Sequence, residues 1–375
     1  MIKKVLARLH ARHGERIFLE AQRELIEVPR YTPRRIAGYG IACLILALPV
    51  GFFALGVWMV FFNSEHMFMI LGGLFAFLVA WVIHPRMVET ENRTIWPDEM
   101  PELFRMINAI ADAQGVTPPD GFEVNKYFYA YTRTHGRFFR RSIIGVGMPN
   151  WWVRTDAERM AVLAQQIAHF GNGDPQQDRI IGLAFETVLR WEDVLTPQPD
   201  PVFSRSLGDM IFEVIQFFLR LPVSLLADLL LYLEFGTNQR ATYIADAMAA
   251  TVVGSDAVKS SLRKNAVEQV AWDAVTALYP YSFDQNARIF NTMAQGVAAM
   301  PADQRAAAEA ALMTRPPQVN VSTPPDGYRC AFLDALGDVP PRLTPDMFDF
   351  DKIARELQPE ADRQGRMLMQ RFEVM

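Results

Sequence analysis

Two stretches near the start of the chain contain no charged residue: Ile36–Phe62, 27 residues long, and Met67–Ile83, 17 more. At ~1.5 Å of helical rise per residue the first exceeds the ~30 Å hydrocarbon layer of a bilayer, while the second stands at the lower limit of about 17 residues for a spanning helix. Asn63–His66 between them is too short for anything but a tight turn, so the pair reads as a two-helix transmembrane hairpin over residues 36–84. A secretory signal does not fit, because the apolar run starts late, is too long and lacks a small-residue cleavage site. The turn has no Lys or Arg, whereas nine precede the hairpin (Lys3, Lys4, Arg8, Arg12, Arg16, Arg23, Arg30, Arg34, Arg35), and Arg86 and Arg93 follow it. The positive-inside rule then expects both termini, and the main domain beyond residue 84, in the cytoplasm.

Residues 1–35 hold those nine cations against four Glu, with Ile2, Val5, Leu6, Leu9, Ile17, Phe18 and Leu25 as a broken apolar stripe. This is the pattern of a basic juxtamembrane helix lying on anionic lipid, which makes membrane lipid the first expected partner. Ile211–Phe235 invites a third span, but Glu213, Arg220 and Asp228 lie near one face and Pro222 interrupts it. A charge at the bilayer centre costs at least ~2.5–3.5 kcal/mol, so an interfacial helix, or one packed on the domain, is expected instead. The formal net charge of −5 gives no general affinity for polyanions. Lys126–Arg141, KYFYAYTRTHGRFFRR, has the aromatic and basic mix of single-strand binders. Alternating aromatics on a strand face and cations near headgroups account for it, so no nucleic-acid partner is expected. Cys43 and Cys330 fall in a span and in a soluble segment and are not expected to pair.

The rest divides by pattern. Pro97–Gly115 is a helix with Leu103, Ile107 and Ile110 facing inward, and Phe122–Val124, Tyr127–Thr132 and Arg140–Gly147 are strands. Asp256–Met313 is helical, Pro316–Pro325 an irregular linker, and Phe348–Phe372 a polar final helix. The expected fold is mainly α with a small β-sheet. Its segments are a basic helix at 1–35, the hairpin at 36–84, a main domain at 85–345 and a helical tail at 346–375. There is no G-x-S-x-G, no phosphate loop and no C-x-x-C, and Gly145-Val146-Gly147 reads as the end of a strand.

The stretch most informative about chemistry is Ala161–Phe170, AVLAQQIAHF. Thr155 and Glu158 form a capping box ahead of it, and Met160, Leu163, Ile167 and Phe170 make one apolar stripe. Gln165 and His169, four apart, leave the helix on the other side, where polar side chains meet solvent or line a cleft. A lone histidine on such a helix is usually a hydrogen-bonded structural residue. A second polar set follows in Gln239–Gly254, QRATYIADAMAATVVG, where Asp246 is the one charge after Arg240. A carboxylate in so apolar a helix is costly unless paired or solvated.

In order and separation these segments resemble the HtpX-like and CAAX-prenyl-endopeptidase family of membrane zinc metallopeptidases, over roughly residues 95–340. The family's zinc helix reads A-V-L-A-H-E-x-x-H, its second helix E-x-x-x-A-D, and a later segment H-P-P-x-x-x-R. Here the first histidine is Gln165, the glutamate that serves as general base is Gln166, and His169 remains. The third ligand position is Thr242, followed by the matching Ala245-Asp246, and Thr323-Pro324-Pro325 precedes Arg329. Asp174 fits the family's aspartate beyond the zinc helix, although an N-cap role before Pro175 also accounts for it. The resemblance implies a zincin-like α+β domain in a bacterial inner membrane. It also implies a sheet edge that pairs with an extended substrate, carried here by Asn125, Ile143, Ile144 and Gly145. It implies zinc as cofactor, yet a catalytic zinc needs three His or carboxylate ligands and an open water position. A Gln amide and a Thr hydroxyl are weak neutral donors, and Gln166 cannot take a proton from metal-bound water. The expectation is therefore no zinc, no active catalytic residue, and a membrane-anchored pseudo-peptidase that binds or regulates a protein or peptide partner. An active metalloendopeptidase with a rearranged metal site, and a structural subunit of a membrane complex, are the alternatives. A hydrogen bond from Gln165 to Asp246, with Thr242 free to join it, is expected to tie the two helices in place of the metal.

Overall fold

The computed structural model describes residues 2–23, 32–62, 66–86, 92–135, 141–171, 179–196, 207–277, 289–316 and 323–373. The fold is mainly helical with one four-stranded sheet, and the chain divides into two compact units. One comprises Met1–Val28, Thr90–Gln177 and Thr237–Met375; the other comprises Pro29–Glu89 and Asp178–Gly236.

The second unit holds α2 (Pro33–Val57), which runs on as a wider π-turn over Trp58–Phe62, then α3 (Met67–Ile83), α7 (Arg179–Val194) and the first part of α8 (Leu207–Val253). Thr32 caps α2, its hydroxyl accepting from the Arg35 N–H at 3.1 Å, with Pro33 in the first turn. Helices α2 and α3 pack closely because Gly56 and Gly73 face one another. A Cβ on Gly73 would lie 3.1 Å from the Gly56 carbonyl oxygen, and one on Gly56 3.0 Å from that of Gly73. The open carbonyls ending α3 are closed by α7: Trp191 Nε1 donates to Ile83 O at 2.9 Å and an Arg190 nitrogen to Val82 O at 3.0 Å.

Helix α8 departs from expectation. Ile211–Phe235, with Pro222 inside it, and the segment after it as far as Val253 lie in one helix. Among the described residues, two helices are long and apolar enough to cross a membrane, Pro33–Phe62 and Glu213–Val253, with Met67–Ile83 a shorter apolar helix. On α8, Val214, Ile215, Phe217, Phe218, Leu219, Leu221, Leu225 and Leu229 are exposed. Arg220 approaches the Glu192 carboxylate of α7 at 3.9 Å, and Ser224 donates to the same carboxylate at 2.6 Å. An ion pair of this kind reduces the charge that argued against burial in an apolar phase.

The first unit is built around α6 (Asp156–Gly171) and the sheet. Strands β1 (Thr94–Ile95), β2 (Gly121–Asn125), β3 (Ala130–His135) and β4 (Arg141–Gly147) lie in the order β1-β2-β4-β3. The β2–β4 pair is parallel and the other two are antiparallel. Phe122, Val124, Ile144 and Val146 are fully buried and enter one core with Leu103, Ile107 and Ile110 of α4 (Pro101–Gln114). Helix α5 (Met148–Trp152) follows β4, and α9 (Ser255–Arg263), α10 (Glu268–Thr276), α11 (Ile289–Ala298), α12 (Ala302–Met313) and α13 (Asp326–Leu336) complete the helical part.

Both ends of the chain depart from the expected segmentation. The last helix, α14 (Phe350–Glu373), buries Ile353, Leu357, Ala361 and Leu368 in the same core, and Gln364 donates to the Val124 carbonyl at 2.8 Å. It is part of the domain and no separate tail, because its four apolar side chains fall on one face. The first helix, α1 (Ile2–Arg23), places Ile17 and Ala21 in that core as well.

Helix α14 also closes the start of α4. Both oxygens of Glu356 accept from the free N–H groups of Glu102 and Leu103 at 3.0 Å each, favourable for a carboxylate at a helix N-terminus. Beside it, Arg105 and the Asp349 backbone N–H bond Glu102 and hold its carboxyl down to about 2. A carboxyl depressed in the folded state stabilises it above the ordinary pKa of ~4.3 and loses that contribution as pH falls toward the folded value. Glu102→Gln is therefore expected to flatten the acid side of the Tm–pH curve below about pH 4.5. A variant whose Tm falls as steeply as wild type over that range would refute the assignment.

Candidate functional site

Helix α6 forms as its sequence dictates. The capping box closes, with Thr155 N–H donating to Glu158 Oε2 at 2.9 Å and Glu158 N–H reaching Thr155 Oγ1 at 3.4 Å. Met160, Leu163 and Ile167 are fully buried and Phe170 half-buried. The polar set splits differently from expectation. Gln166 and His169 are buried at 8% and 9% exposure, while Gln165 is half-buried. Gln165 Oε1 accepts from Gln166 Nε2 at 3.2 Å.

The expected Gln165–Asp246 bond is not formed. Asp246 is wholly buried on α8 and takes both of its bonds from Arg329 of α13: Nε to Oδ2 at 2.8 Å and a terminal nitrogen to Oδ1 at 2.6 Å. A planar guanidinium matches a carboxylate with two parallel bonds, which an amide cannot do, and carries a full charge besides. Burial alone lowers the Arg329 pKa, but the adjacent Asp246 carboxylate and its bonds raise it on balance, so the guanidinium stays charged. Thr242 is not free to join this pair, since its hydroxyl donates back along α8 to the Asn238 carbonyl at 2.9 Å.

The pair is one end of a polar chain that runs on through the half-buried Asp326 and Asn265. Asp326 Oδ1 accepts from Arg329 at 3.3 Å, and its Oδ2 accepts from Asn265 Nδ2 at 3.1 Å. Asn265 Oδ1 in turn accepts from Arg154 at 2.6 Å. Arg154, between α5 and α6, also donates to Asn150 Oδ1 at 2.7 Å and to Ser261 Oγ at 3.1 Å. Its pKa is pulled down to about 10 by burial, offset in part by Glu158 and Asp326. Arg154 carries no periodic or motif signal in the sequence. Arg329 was visible only through the P-P-x-x-x-R spacing.

The strand residues are corrected in position. Strand β4 is paired on both sides, so Ile143, Ile144 and Gly145 lie inside the sheet and cannot add an extended peptide. The edges are the two-residue β1 and β3. Gly145 has a different role: a Cβ there would stand 2.1 Å from the Tyr131 ring, so its absence lets that ring lie across the strand. Tyr131 then donates to Glu123 at 2.6 Å, joined there by Thr94 at 2.8 Å and by Arg133. Burial raises the Glu123 carboxyl, but bonds from Arg133, Tyr131 and Thr94 outweigh it and hold it below the ordinary range. Asn125, nearly fully buried at the end of β2, accepts from the Tyr127 N–H at 2.8 Å. That turn takes Tyr127 and Phe128 out of the strand expected there and leaves Tyr127 and Tyr129 exposed, stacked at 5.5 Å beside the β3 edge.

Asp174 lies outside the described residues, and His135 ends β3. Among the described residues, no group of three His, Cys, Asp or Glu side chains is placed to hold a metal ion. Comparison with known protein families, with curated proteins and with solved structures found no match.

The donor set at the zinc-helix positions does not fit a catalytic zinc. It offers one imidazole, two carboxamides bonded to one another and a hydroxyl committed to its own helix; the Asp246 carboxylate is held by Arg329. Zinc requires three His, Cys or carboxylate ligands at ~2.0–2.3 Å, and only His169 is of that kind at these positions.

Proposed function

We propose that this protein is a membrane-anchored pseudo-peptidase, descended from an HtpX-like metallopeptidase frame, that binds a protein or peptide instead of cleaving it. The observation that carries the reading is the state of Asp246, buried and fully taken by Arg329 while Gln165, Gln166 and Thr242 stand at the ligand and base positions. The exposed Tyr127–Tyr129 stack beside the β3 edge supports the binding role, since an extended peptide pairs with an edge strand through its backbone. Helices α2 and α3 form the transmembrane hairpin in this reading, supported by the length and composition of Pro33–Phe62. Both termini and the first unit are cytoplasmic, supported by the absence of Lys and Arg from Asn63–His66.

Chelator-free purification followed by elemental analysis and a casein cleavage assay tests the reading. The expected result is far less than one zinc per chain and no chelator-sensitive cleavage. One zinc per chain with chelator-sensitive cleavage would establish a rearranged metal site.

A further inference from the structure

We infer that α1 is a latch on the first unit, released when anionic lipid takes over the apolar face by which it docks. This rests on the membrane reading above. Among the described side chains of α1, Gly14, Ile17 and Ala21 are buried, with half-buried Phe18 beside them. Phe18 stacks on Tyr328 at 4.6 Å and lies 6.5 Å from Tyr243. These two tyrosines precede Arg329 and follow Thr242 in the chain, so α1 covers the elements that carry the Asp246–Arg329 pair. The Glu20–Arg240 ion pair, at 2.7 Å, is partly exposed and open to screening by salt. Beside Phe18, Tyr243 is wholly buried and its hydroxyl has no hydrogen-bond partner among the described residues.

The other side of α1 is cationic. Arg12, Arg16 and Arg23 are exposed, and residues 2–23 contain six Lys or Arg against two Glu. A basic amphipathic helix binds an anionic bilayer by setting its cations among the headgroups and its apolar face below them. Ile17, Phe18 and Ala21 are already used in docking, so these three side chains cannot be packed on the first unit and inserted into lipid at once.

The test uses the full chain with Cys43→Ser and Cys330→Ala. Phe18→Cys and Tyr328→Cys are added to form a disulfide only when α1 is docked. The protein is reconstituted into vesicles of phosphatidylcholine alone or mixed about 2:1 with phosphatidylglycerol. Cross-linking is expected to be efficient in the neutral vesicles and to fall about tenfold in the anionic ones, the attraction of one or two cations for such a surface. Arg12→Gln with Arg16→Gln is expected to abolish that fall. Should the cysteine pair disturb folding, maleimide labelling of Ile17→Cys is read instead, slow in neutral and fast in anionic vesicles. Equal cross-linking or labelling in both vesicle types overturns the latch. Failure of the protein to float with either vesicle type overturns the membrane reading itself.

Discussion

Arg329→Leu is expected to cost about 3–5 kcal/mol, because it strands the Asp246 carboxylate in the core without its counter-charge. For a unit of this size that corresponds to a fall in Tm of about 6–20 °C. Asp246→Ala is expected to be comparably damaging, since it leaves a buried guanidinium unpaired. Arg329→Lys should rescue little, as a single ammonium cannot make two parallel bonds to one carboxylate. The double change Asp246→Leu with Arg329→Met removes both charges at similar volume and should recover most of the loss. Thermal unfolding in detergent measures all four. An Arg329→Leu protein melting with wild type would mean that the pair contributes nothing to the fold.

The second large effect is expected at Arg154. Arg154→Met removes a guanidinium that satisfies Asn150, Ser261 and Asn265 within the protein. Each orphaned buried acceptor costs about 1–3 kcal/mol, and the combined loss, which is not additive, should approach that of Arg329→Leu. The two sites are joined through Asn265 and Asp326, so their effects should couple. A double-mutant cycle is expected to show about 0.5–3 kcal/mol of interaction. Additivity within about 0.5 kcal/mol would mean that the bonds between them do not act as a network.

These residues also mark where the sequence was legible. Helix α6 was fully written in its own segment: the capping box and the Met160–Leu163–Ile167 stripe are relations of three or four residues, which one turn of helix enforces. The same holds for Leu103, Ile107 and Ile110 on α4, and for the small sheet in an otherwise helical chain. The length and apolarity of Pro33–Phe62 are likewise properties of the segment alone.

What tertiary structure decided were pairings across distance. The partner of Asp246 lies 83 positions away, and local pattern cannot rank a guanidinium there against an amide about as distant on the other side in the chain. Strand order was equally hidden. β4 alternates like any buried strand, and only its pairing with β2 on one side and β3 on the other moved the edge from Ile143–Gly145 to the strand carrying Tyr131. The apolar stripes of α1 and α14 were visible, but a stripe states that a face will be covered and not by what. The sequence by itself determined which faces, caps and apolar runs exist. The packed fold decided which of them meet, because burial leaves each charge and each apolar face to find its partner wherever the chain brings one within reach.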